Sequence, residues 1–202
     1  MSTSEERAAR HKKAMQRKKE HIDGRIAEAT IDKGLMVVLT GNGKGKSTSA
    51  FGMLARSVGH RLHCGVIQFI KGQWECGEQL LFADNPLVEF HAMNTGFIWE
   101  TQDRDKDIAA AEATWDKATA MLNNPNFNLV ILDEITYMLT YGYLDKETVL
   151  STLENRPPNQ HVVVTGRNAA KELIELADTV TELGEKKHAF YEGVRVQKGI
   201  DY

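Results

Sequence analysis

The hydrophobic pattern of the chain divides it near residue 34. Residues 4–30 contain no proline and a single glycine, and good helix formers dominate them. A thin apolar stripe recurs there every seven residues, at Ala8, Met15, Ile22 and Ala29, with Ile26 added. The segment is therefore predicted to be one long helix, and a stripe this thin cannot anchor it firmly. We expect the helix to dock on another surface: the rest of the chain, a second subunit or a bound ligand.

After residue 34, short apolar runs alternate with stretches that have the apolar spacing of a helix. The runs predict strands over residues 35–39, 64–70, 88–93, 127–132, 161–164 and 179–183. The stretches predict helices over residues 46–58, 106–122, 146–155 and 169–177, with Asp145 capping the third. This alternation is typical of an α/β fold with a mostly parallel sheet and helices on both faces. The chain is thus divided into a basic N-terminal helical arm, residues 1–30, and one α/β domain, residues 31–202.

The composition is that of an ordinary globular chain of 202 residues, with 42% hydrophobic and 26% charged residues. Its two cysteines cannot build a disulfide framework or a four-thiolate zinc site. No apolar run approaches the roughly 20 residues of a membrane helix. The N-terminal charges are not followed by the apolar segment of a secretory signal. We therefore expect a cytoplasmic protein that does not bind a membrane.

The net charge of −3 conceals an uneven distribution. Residues 1–25 carry eight Lys or Arg against four Asp or Glu, whereas the rest of the chain carries 17 basic and 24 acidic residues. A basic arm on an acidic body could contact nucleic acid, an anionic ligand or a neighbouring subunit. A solvated helix face is the simpler interpretation.

The most specific motif is Thr-Gly-Asn-Gly-Lys-Gly-Lys-Ser at residues 40–47, between the first predicted strand and the first predicted helix of the domain. Glycines let the backbone N–H groups turn inward around an anion, and the helix N-terminus adds positive potential. Lys46 supplies a charge for phosphate oxygens, and the Ser47 hydroxyl can ligate Mg²⁺. The first glycine, Gly41, stands one residue later than in the standard P-loop, where residue 40 would be glycine. We predict a P-loop NTPase-like fold whose nucleotide phosphates contact this set: Gly41, Asn42, Gly43, Lys44, Gly45, Lys46, Ser47 and Thr48.

Two acids follow the apolar run at residues 129–132. Asp133 and Glu134 should lie at the carboxyl edge of the sheet, where they could hold Mg²⁺ directly or through water. In hydrolytic ATPases a Glu at this place orients water, and a strand-end acid could instead cap the next helix. The sequence has no N-K-x-D element for reading guanine, so a GTPase is not expected.

Two arginines and two aromatic residues are further candidates. Arg167 closes another predicted strand and could reach phosphate, with a surface ion pair as the alternative. Arg56 and Arg167 are within plausible reach of the adenine. Phe97 and Trp99 fall in a predicted loop, residues 94–105, beside a glycine. They either anchor that loop in the core or form a platform for a large flat ligand.

Several segments together resemble the P-loop class of cob(I)alamin adenosyltransferases, also called corrinoid adenosyltransferases. They are residues 40–48, 68–72, 95–97, 99–101, 132–134, 136–137, 165–167 and 199–202. The likeness extends over nearly the whole chain, including the basic N-terminal helix. Ser47 stands where many relatives have threonine, and both residues supply the same hydroxyl group.

The resemblance implies transfer of the 5′-deoxyadenosyl group of ATP to the Co(I) of a corrinoid, with release of triphosphate. It implies that residues 41–47 bind the triphosphate, that Lys46 takes part in catalysis, and that Ser47 and Glu134 hold Mg²⁺ or Mn²⁺, with Asp133 in support. Phe97 and Trp99 match catalytic aromatic residues that displace the lower ligand of the corrinoid. The resemblance further implies a homodimer whose N-terminal helix covers the active site, and a reduced flavodoxin-like protein as electron donor.

Two other function classes use the same motifs. A P-loop kinase or ATPase would transfer the terminal phosphoryl group, and its products would be ADP and phosphate or a phosphorylated acceptor. A nucleic-acid-binding ATPase module would place the basic arm on a phosphate backbone. The acidic body and the lack of a basic-aromatic stripe argue against nucleic acid as a partner.

Overall fold

The computed structural model describes residues 3–70, 76–93 and 103–202, and the chain forms two compact units that meet between residues 32 and 33. The first unit is built on one helix, α1 (Ser4–Glu28). Thr3 and Glu6 form a capping box at its start, in which each side chain accepts a hydrogen bond from the other residue's backbone N–H. No residue of α1 is buried, as the thin apolar stripe predicts.

The second unit is a six-stranded sheet in which every strand pairing is parallel. Its strands are β1 (Met36–Thr40), β2 (Cys64–Gln68), β3 (Val88–Ala92), β4 (Leu129–Asp133), β5 (His161–Thr165) and β6 (Thr179–Glu182). They lie in the order β3-β2-β4-β5-β1-β6. The α/β class with a parallel sheet is therefore confirmed. None of the helices in the described ranges is long and apolar enough to cross a membrane.

Helices cover both faces of this sheet. They are α2 (Lys46–Gly59), α3 (Gly77–Phe82), α4 (Arg104–Leu122), α5 (Ile135–Thr140), α6 (Lys146–Glu154) and α7 (Lys171–Leu176), and a 3₁₀ helix spans Ala189–Glu192. Residues of α2 and α3 share one core cluster with alternate residues of the strands, whereas residues of α4 to α7 share the other. Within β4, for example, Leu129 and Ile131 face the first cluster, and Val130 and Leu132 face the second. This two-sided burial explains why the four inner strands, β2, β4, β5 and β1, are almost continuous apolar runs.

The predicted elements differ from the observed ones mainly at their ends. Strand β1 begins at Met36 and includes Thr40, and α4 begins two residues before its predicted start because Asp103 caps it by accepting from the Lys106 backbone N–H. Asp145 caps α6 as predicted, accepting a hydrogen bond from the Thr148 backbone N–H at 2.8 Å. The six-residue helices α3 and α5 were not predicted, since so short a helix offers less than two turns of apolar spacing.

At the amino edge of the sheet, where the strands begin, buried polar side chains hold the backbone. Gln160 is 1% exposed, and its Nε2 donates to three carbonyl oxygens, those of Met121, Asn124 and Phe127, at 3.1–3.2 Å. Arg156 donates to the carbonyls of Gly34, Leu153 and Gln160. These bonds join loops that lead into neighbouring strands, so the polar side chains at this edge stabilise the fold.

Candidate functional site

The sheet order brings the chemically interesting strand ends together. Strands β4, β5 and β1 are neighbours, so their carboxyl ends lie side by side at one edge of the sheet. The phosphate loop follows β1, the acids Asp133 and Glu134 end or follow β4, and Arg167 follows β5. A cavity of about 660 Å³ opens at this carboxyl edge, and all three segments contribute to its walls.

The phosphate loop is shaped by close contact with the chain that follows β6. The Gly43 backbone N–H donates to the Leu183 carbonyl at 2.7 Å, and the Leu183 N–H donates to the Thr40 carbonyl. Gly41 has φ +98°, and a Cβ there would lie 2.5 Å from the Leu183 oxygen. A side chain at residue 41 is excluded both by conformation and by space. At residue 40, by contrast, the Thr40 hydroxyl accepts from the Ala169 N–H at 3.2 Å, so the shifted first glycine has a physical reason.

The structure sorts the predicted phosphate-binding residues into two groups. Those that line the cavity are Lys44, Gly45, Lys46, Ser47 and Thr48. Gly41, Asn42 and Gly43 form the outer turn of the loop, where Gly41 and Gly43 pack against the backbone of residues 183–184. The outer group therefore supports the shape of the loop, and the inner group faces the ligand space.

Lys46 is 7% exposed although it carries a charged side chain. Its Nζ donates to the Gly43 carbonyl at 3.0 Å, within the loop. Burial lowers the pKa of Lys46, while the carboxylates of Glu134 and Asp133 oppose that shift. A buried ammonium with a single hydrogen bond has donors to spare, as a phosphate-binding lysine requires.

Asp133 is the acid of the site whose carboxylate accepts the most hydrogen bonds. Thr165 Oγ1 donates to its Oδ1 at 2.7 Å, and Gln68 Nε2 donates to its Oδ2 at 3.1 Å. The Ser47 hydroxyl lies near enough to lower the pKa of Asp133. Burial raises the pKa of Asp133, and these three donors act in the opposite direction. The carboxylate is thereby fixed beside Ser47.

Glu134 is fixed by its backbone rather than by hydrogen bonds to its carboxyl group. Its backbone has φ +59°, and its N–H donates to Thr165 Oγ1 at 2.9 Å. Its carboxyl oxygen Oε2 is buried, and no group in the described part of the chain forms a hydrogen bond with it. Burial raises the pKa of Glu134 to about 7, Asp133 adds to the shift, and the charges of Lys46 and Arg167 oppose it. A strained, buried and unpartnered carboxyl is typical of a ligand-binding group rather than of a helix cap, and Glu134 makes no side-chain capping bond to α5.

Arg167 lies on the cavity wall, as its position after β5 predicts. Gly166 before it has φ +140°, and a Cβ there would overlap the Thr136 side chain. Only glycine permits this turn toward the site. Arg56, in contrast, is exposed on α2, ten residues and about 15 Å along the axis from Lys46. It is not among the residues that line the cavity, and its predicted contact with the nucleotide stays a prediction.

Other residues of the cavity wall had no assigned role in the sequence-based prediction. They include Gln68 at the end of β2 and Ile70 after it, Cys76 and Glu78 at the start of α3, Tyr137 on α5, and Val196 with residues 199–202. Asp201 Oδ1 accepts from Lys44 Nζ at 2.7 Å, and its Oδ2 accepts from the Gln197 N–H. A tight turn over residues 197–202 is thus tied to the phosphate loop. The only signal for these residues in the sequence is that residues 68, 70, 137 and 199–202 belong to the segments that carry the family resemblance.

The donor set fits a divalent metal ion of the magnesium type. Ser47 offers a hydroxyl, Asp133 a fixed carboxylate, and Glu134 an unpartnered carboxyl oxygen at the same edge. Mg²⁺ takes one or two protein carboxylates and fills its remaining positions with phosphate and water. In the described ranges no three His, Cys, Asp or Glu side chains come together in a group that could hold a metal ion by themselves.

Phe97 and Trp99 lie outside the described residues, within residues 94–102. The alternatives of core anchor and ligand platform therefore remain predictions.

Known proteins resemble this chain over its full length. A family model described as ATP:corrinoid adenosyltransferase BtuR/CobO/CobP matches residues 32–202. A corrinoid adenosyltransferase of Pseudomonas aeruginosa is 50% identical over 203 residues, covering 100% of both chains. The corrinoid adenosyltransferase CobA of Salmonella typhimurium is 49% identical over 96% of this chain and 98% of its own.

Among solved structures, a KaiC-like protein of Pyrococcus horikoshii superimposes with a TM-score of 0.45 at 13% identity, over 78% of this chain and 74% of that one. Agreement at that level supports no statement about function.

Proposed function

The chain belongs to the ATP:corrinoid adenosyltransferase family BtuR/CobO/CobP, and from that membership we propose how the cavity at the carboxyl edge is used. The enzyme transfers the 5′-deoxyadenosyl group of ATP to the Co(I) centre of a corrinoid. Our proposal is that the phosphate loop holds the triphosphate as a leaving group and leaves C5′ of the ribose open to the cobalt.

The reaction needs no nucleophile or general base from the protein. The electron pair of Co(I) forms the bond to C5′, the bond between C5′ and its phosphate oxygen breaks, and triphosphate leaves with that pair. The enzyme's tasks are then to position the two substrates and to stabilise charge on the leaving group. Lys46, Lys44 and Arg167 all line the cavity and suit that second task.

The observation that carries the proposal is the clustering of charge around one carboxyl edge. Lys46 is buried with free donor capacity, and Glu134 has a buried oxygen without a partner. Such groups are costly unless a ligand completes them. A metal ion held by Ser47 and Glu134, with Asp133 in support, would neutralise phosphate charge; we propose Mg²⁺, with Mn²⁺ as a substitute.

For Phe97 and Trp99 we propose the role that the family resemblance implies. They would displace the lower axial ligand of a bound Co(II) corrinoid, because a four-coordinate cobalt is easier to reduce. Since the enzyme needs Co(I), we further propose an external one-electron donor, a reduced flavodoxin-like protein.

The proposal also covers the oligomeric state and the N-terminal helical arm. We propose a homodimer in the cytoplasm, in which residues 1–30 act as a basic arm over the active site and residues 31–202 form the catalytic domain. The support for the arm is its exposed apolar stripe, with Met15 46%, Ile22 43% and Ile26 66% exposed. Both cysteines of the chain are free, in agreement with a reducing compartment.

The decisive experiment mixes the protein, ATP, Mg²⁺ and chemically reduced cobalamin. We expect the absorption spectrum of an alkylcobalt corrinoid and one equivalent of triphosphate per adenosyl group transferred. Formation of ADP and phosphate without a carbon–cobalt bond would instead support the kinase or ATPase alternative.

A second experiment isolates the aromatic residues. The Phe97→Ala, Trp99→Ala double variant should bind ATP with wild-type affinity and adenosylate chemically prepared Co(I) cobalamin. Starting from Co(II) with a reduced flavodoxin, its rate should fall at least about 100-fold, which corresponds to roughly 2.7 kcal/mol. Wild-type turnover from Co(II) would remove these residues from the mechanism.

A further inference from the structure

Gln68 is a buried amide on the wall of the nucleotide cavity to which no role has been given so far. It ends β2, the strand next to β4, and its register partner is Asp133. The residue is 8% exposed and lines the cavity beside the phosphate loop and the acids. Its position therefore combines burial in the sheet with access to the ligand space.

The two ends of the amide are in different situations. Nε2 donates to Asp133 Oδ2 at 3.1 Å, and this bond fixes which end is nitrogen, because a carboxylate only accepts. The amide oxygen Oε1 is buried and has no hydrogen-bond partner among residues 3–70, 76–93 and 103–202. An acceptor shielded from water without a donor costs free energy, so a donor that enters with a ligand would bind favourably there.

The residues around Gln68 indicate which hydrogen-bond donor would reach its amide oxygen. Asp133, to which Gln68 is bonded, lies near the Ser47 hydroxyl, which lowers its pKa, and both residues belong to the proposed metal site. A hydrated Mg²⁺ keeps several of its waters, and these are strong hydrogen-bond donors. Nucleotide phosphates offer only acceptors.

We propose that Gln68 is a positioning residue of the metal site: its amide N–H fixes Asp133, and its amide oxygen accepts a hydrogen bond from a water molecule on the nucleotide-bound metal ion. The inference rests on the proposed function. It adds the neighbouring strand β2 to the metal site, alongside the phosphate loop and the end of β4.

The chain provides a matched control in Gln160. That residue is also buried, also leaves Oε1 without a partner and also uses Nε2 to hold other groups. It lies at the amino edge and does not line the cavity. Gln68→Met and Gln160→Met therefore remove the same amide from opposite ends of the sheet.

The test measures Mn²⁺ binding by electron paramagnetic resonance, using the full chain with saturating ATP. We expect Gln68→Met to weaken Mn²⁺ binding about five- to tenfold, as for loss of one hydrogen bond to a charged ligand sphere. Its affinity for ATP in EDTA should change less than twofold. Gln160→Met should lower the melting temperature and leave Mn²⁺ binding unchanged.

A second variant separates the oxygen from the nitrogen of the amide and is informative if Gln68→Met does not fold. Gln68→Glu keeps an oxygen acceptor of the same length but places a carboxyl beside Asp133. We expect it to lower the melting temperature without metal and to bind Mn²⁺ at least as tightly as the wild type.

The outcomes are distinguishable. If the wild type binds Mn²⁺ with ATP and Gln68→Met binds it within twofold, or if Gln68→Glu binds it as weakly as an apolar replacement would, the inference is overturned and the proposed function stands. If the wild type itself binds no Mn²⁺ with ATP, the proposed metal site is wrong and the role of Gln68 falls with it.

Discussion

The two edges of the sheet both bury polar side chains, but they use them in opposite ways. At the amino edge, Arg156 and Gln160 donate to backbone carbonyls. At the carboxyl edge, Lys46, Asp133 and Glu134 are charged or ionisable groups gathered at a cavity, with fewer protein partners than they can bind.

The difference separates groups that stabilise the fold from groups that await a ligand. A buried donor that satisfies a backbone carbonyl contributes to the free energy of unfolding. A buried charged group that lacks hydrogen bonds or opposite charges lowers the free energy of unfolding. For Glu134 this destabilisation of the charged form is seen as a pKa raised to about 7. Substitutions at the amino edge should therefore change stability, and substitutions at the carboxyl edge should change binding and turnover.

The largest effect on turnover is expected for Lys46→Ala. Removal of the buried ammonium takes away a charge that faces the leaving triphosphate, and the loss of one such group typically costs about 10²–10³ in rate. We expect kcat/KM for adenosylation to fall by that factor and ATP binding, measured by calorimetry, to become undetectable. Unchanged ATP affinity would contradict the assignment of the phosphate loop.

The matched change at the amino edge is Arg156→Met. It leaves the carbonyls of Gly34, Leu153 and Gln160 without their donor. We expect the free energy of unfolding to fall by about 2–3 kcal/mol and kcat/KM to stay within twofold. A large loss of kcat/KM in this variant, if it is folded, would contradict the claim that the amino edge affects stability and not turnover.

A smaller effect, of opposite sign on stability, is expected for Glu134→Gln. The pKa of Glu134 rises from its ordinary 4.5 to about 7 on folding, so the folded state binds the proton more tightly than the unfolded state. The stabilisation from that proton is complete below pH 4.5 and is lost as the pH rises through 7. At pH 8 the metal-free variant should be more stable than the wild type by up to about 3 kcal/mol, and near pH 4 the two should agree.

Urea unfolding in EDTA at the two pH values measures this difference. The variant should at the same time lose Mg²⁺-dependent adenosylation, since it replaces a proposed metal ligand. A variant less stable than the wild type at pH 8 would show that Glu134 is compensated by groups other than those seen at the site.

The sequence allowed much of this carboxyl edge to be predicted because its groups lie at strand ends. The glycine-rich loop after β1, the acids after β4 and Arg167 after β5 are each local patterns, and a parallel sheet brings such strand ends together. The four inner strands β1, β2, β4 and β5 were predicted because a buried parallel strand is a continuous apolar run. The edge strands β3 and β6 are short and more exposed, and their pattern mixes apolar with polar residues.

What could not be predicted depends on contacts distant in sequence. Gly41 is required by the Leu183 carbonyl, and Asp201 reaches Lys44 across 157 positions. No local pattern around Leu183 or Asp201 indicates those partners. Arg56 is ten residues along α2 from Lys46 and does not line the cavity, so its contact with the nucleotide stays a prediction.

The smallest effect is expected for Asp201→Asn, compared with Asp178→Asn. Asp201 pairs with Lys44 of the phosphate loop at 2.7 Å, and the Lys44 bond lowers the pKa of Asp201. Asp178 makes the corresponding pair with Lys33, and its Oδ2 accepts from the Met36 N–H at the start of β1. The Lys44 and Lys33 side chains are both about half exposed, so either ion pair should contribute at most about 1 kcal/mol to stability.

The two variants should differ in ATP binding. Release of Lys44 from Asp201 frees a cation for the triphosphate, so Asp201→Asn should bind ATP up to about fivefold more tightly at low ionic strength. Added salt should remove the gain, because the competing charges are half exposed and therefore screened. Asp178→Asn should lower the melting temperature slightly and leave ATP affinity unchanged in calorimetry. Weaker ATP binding by Asp201→Asn would mean instead that the turn over residues 197–202 must stay closed for the nucleotide to bind, and the ion pair would then belong to the site's structure rather than compete with its ligand.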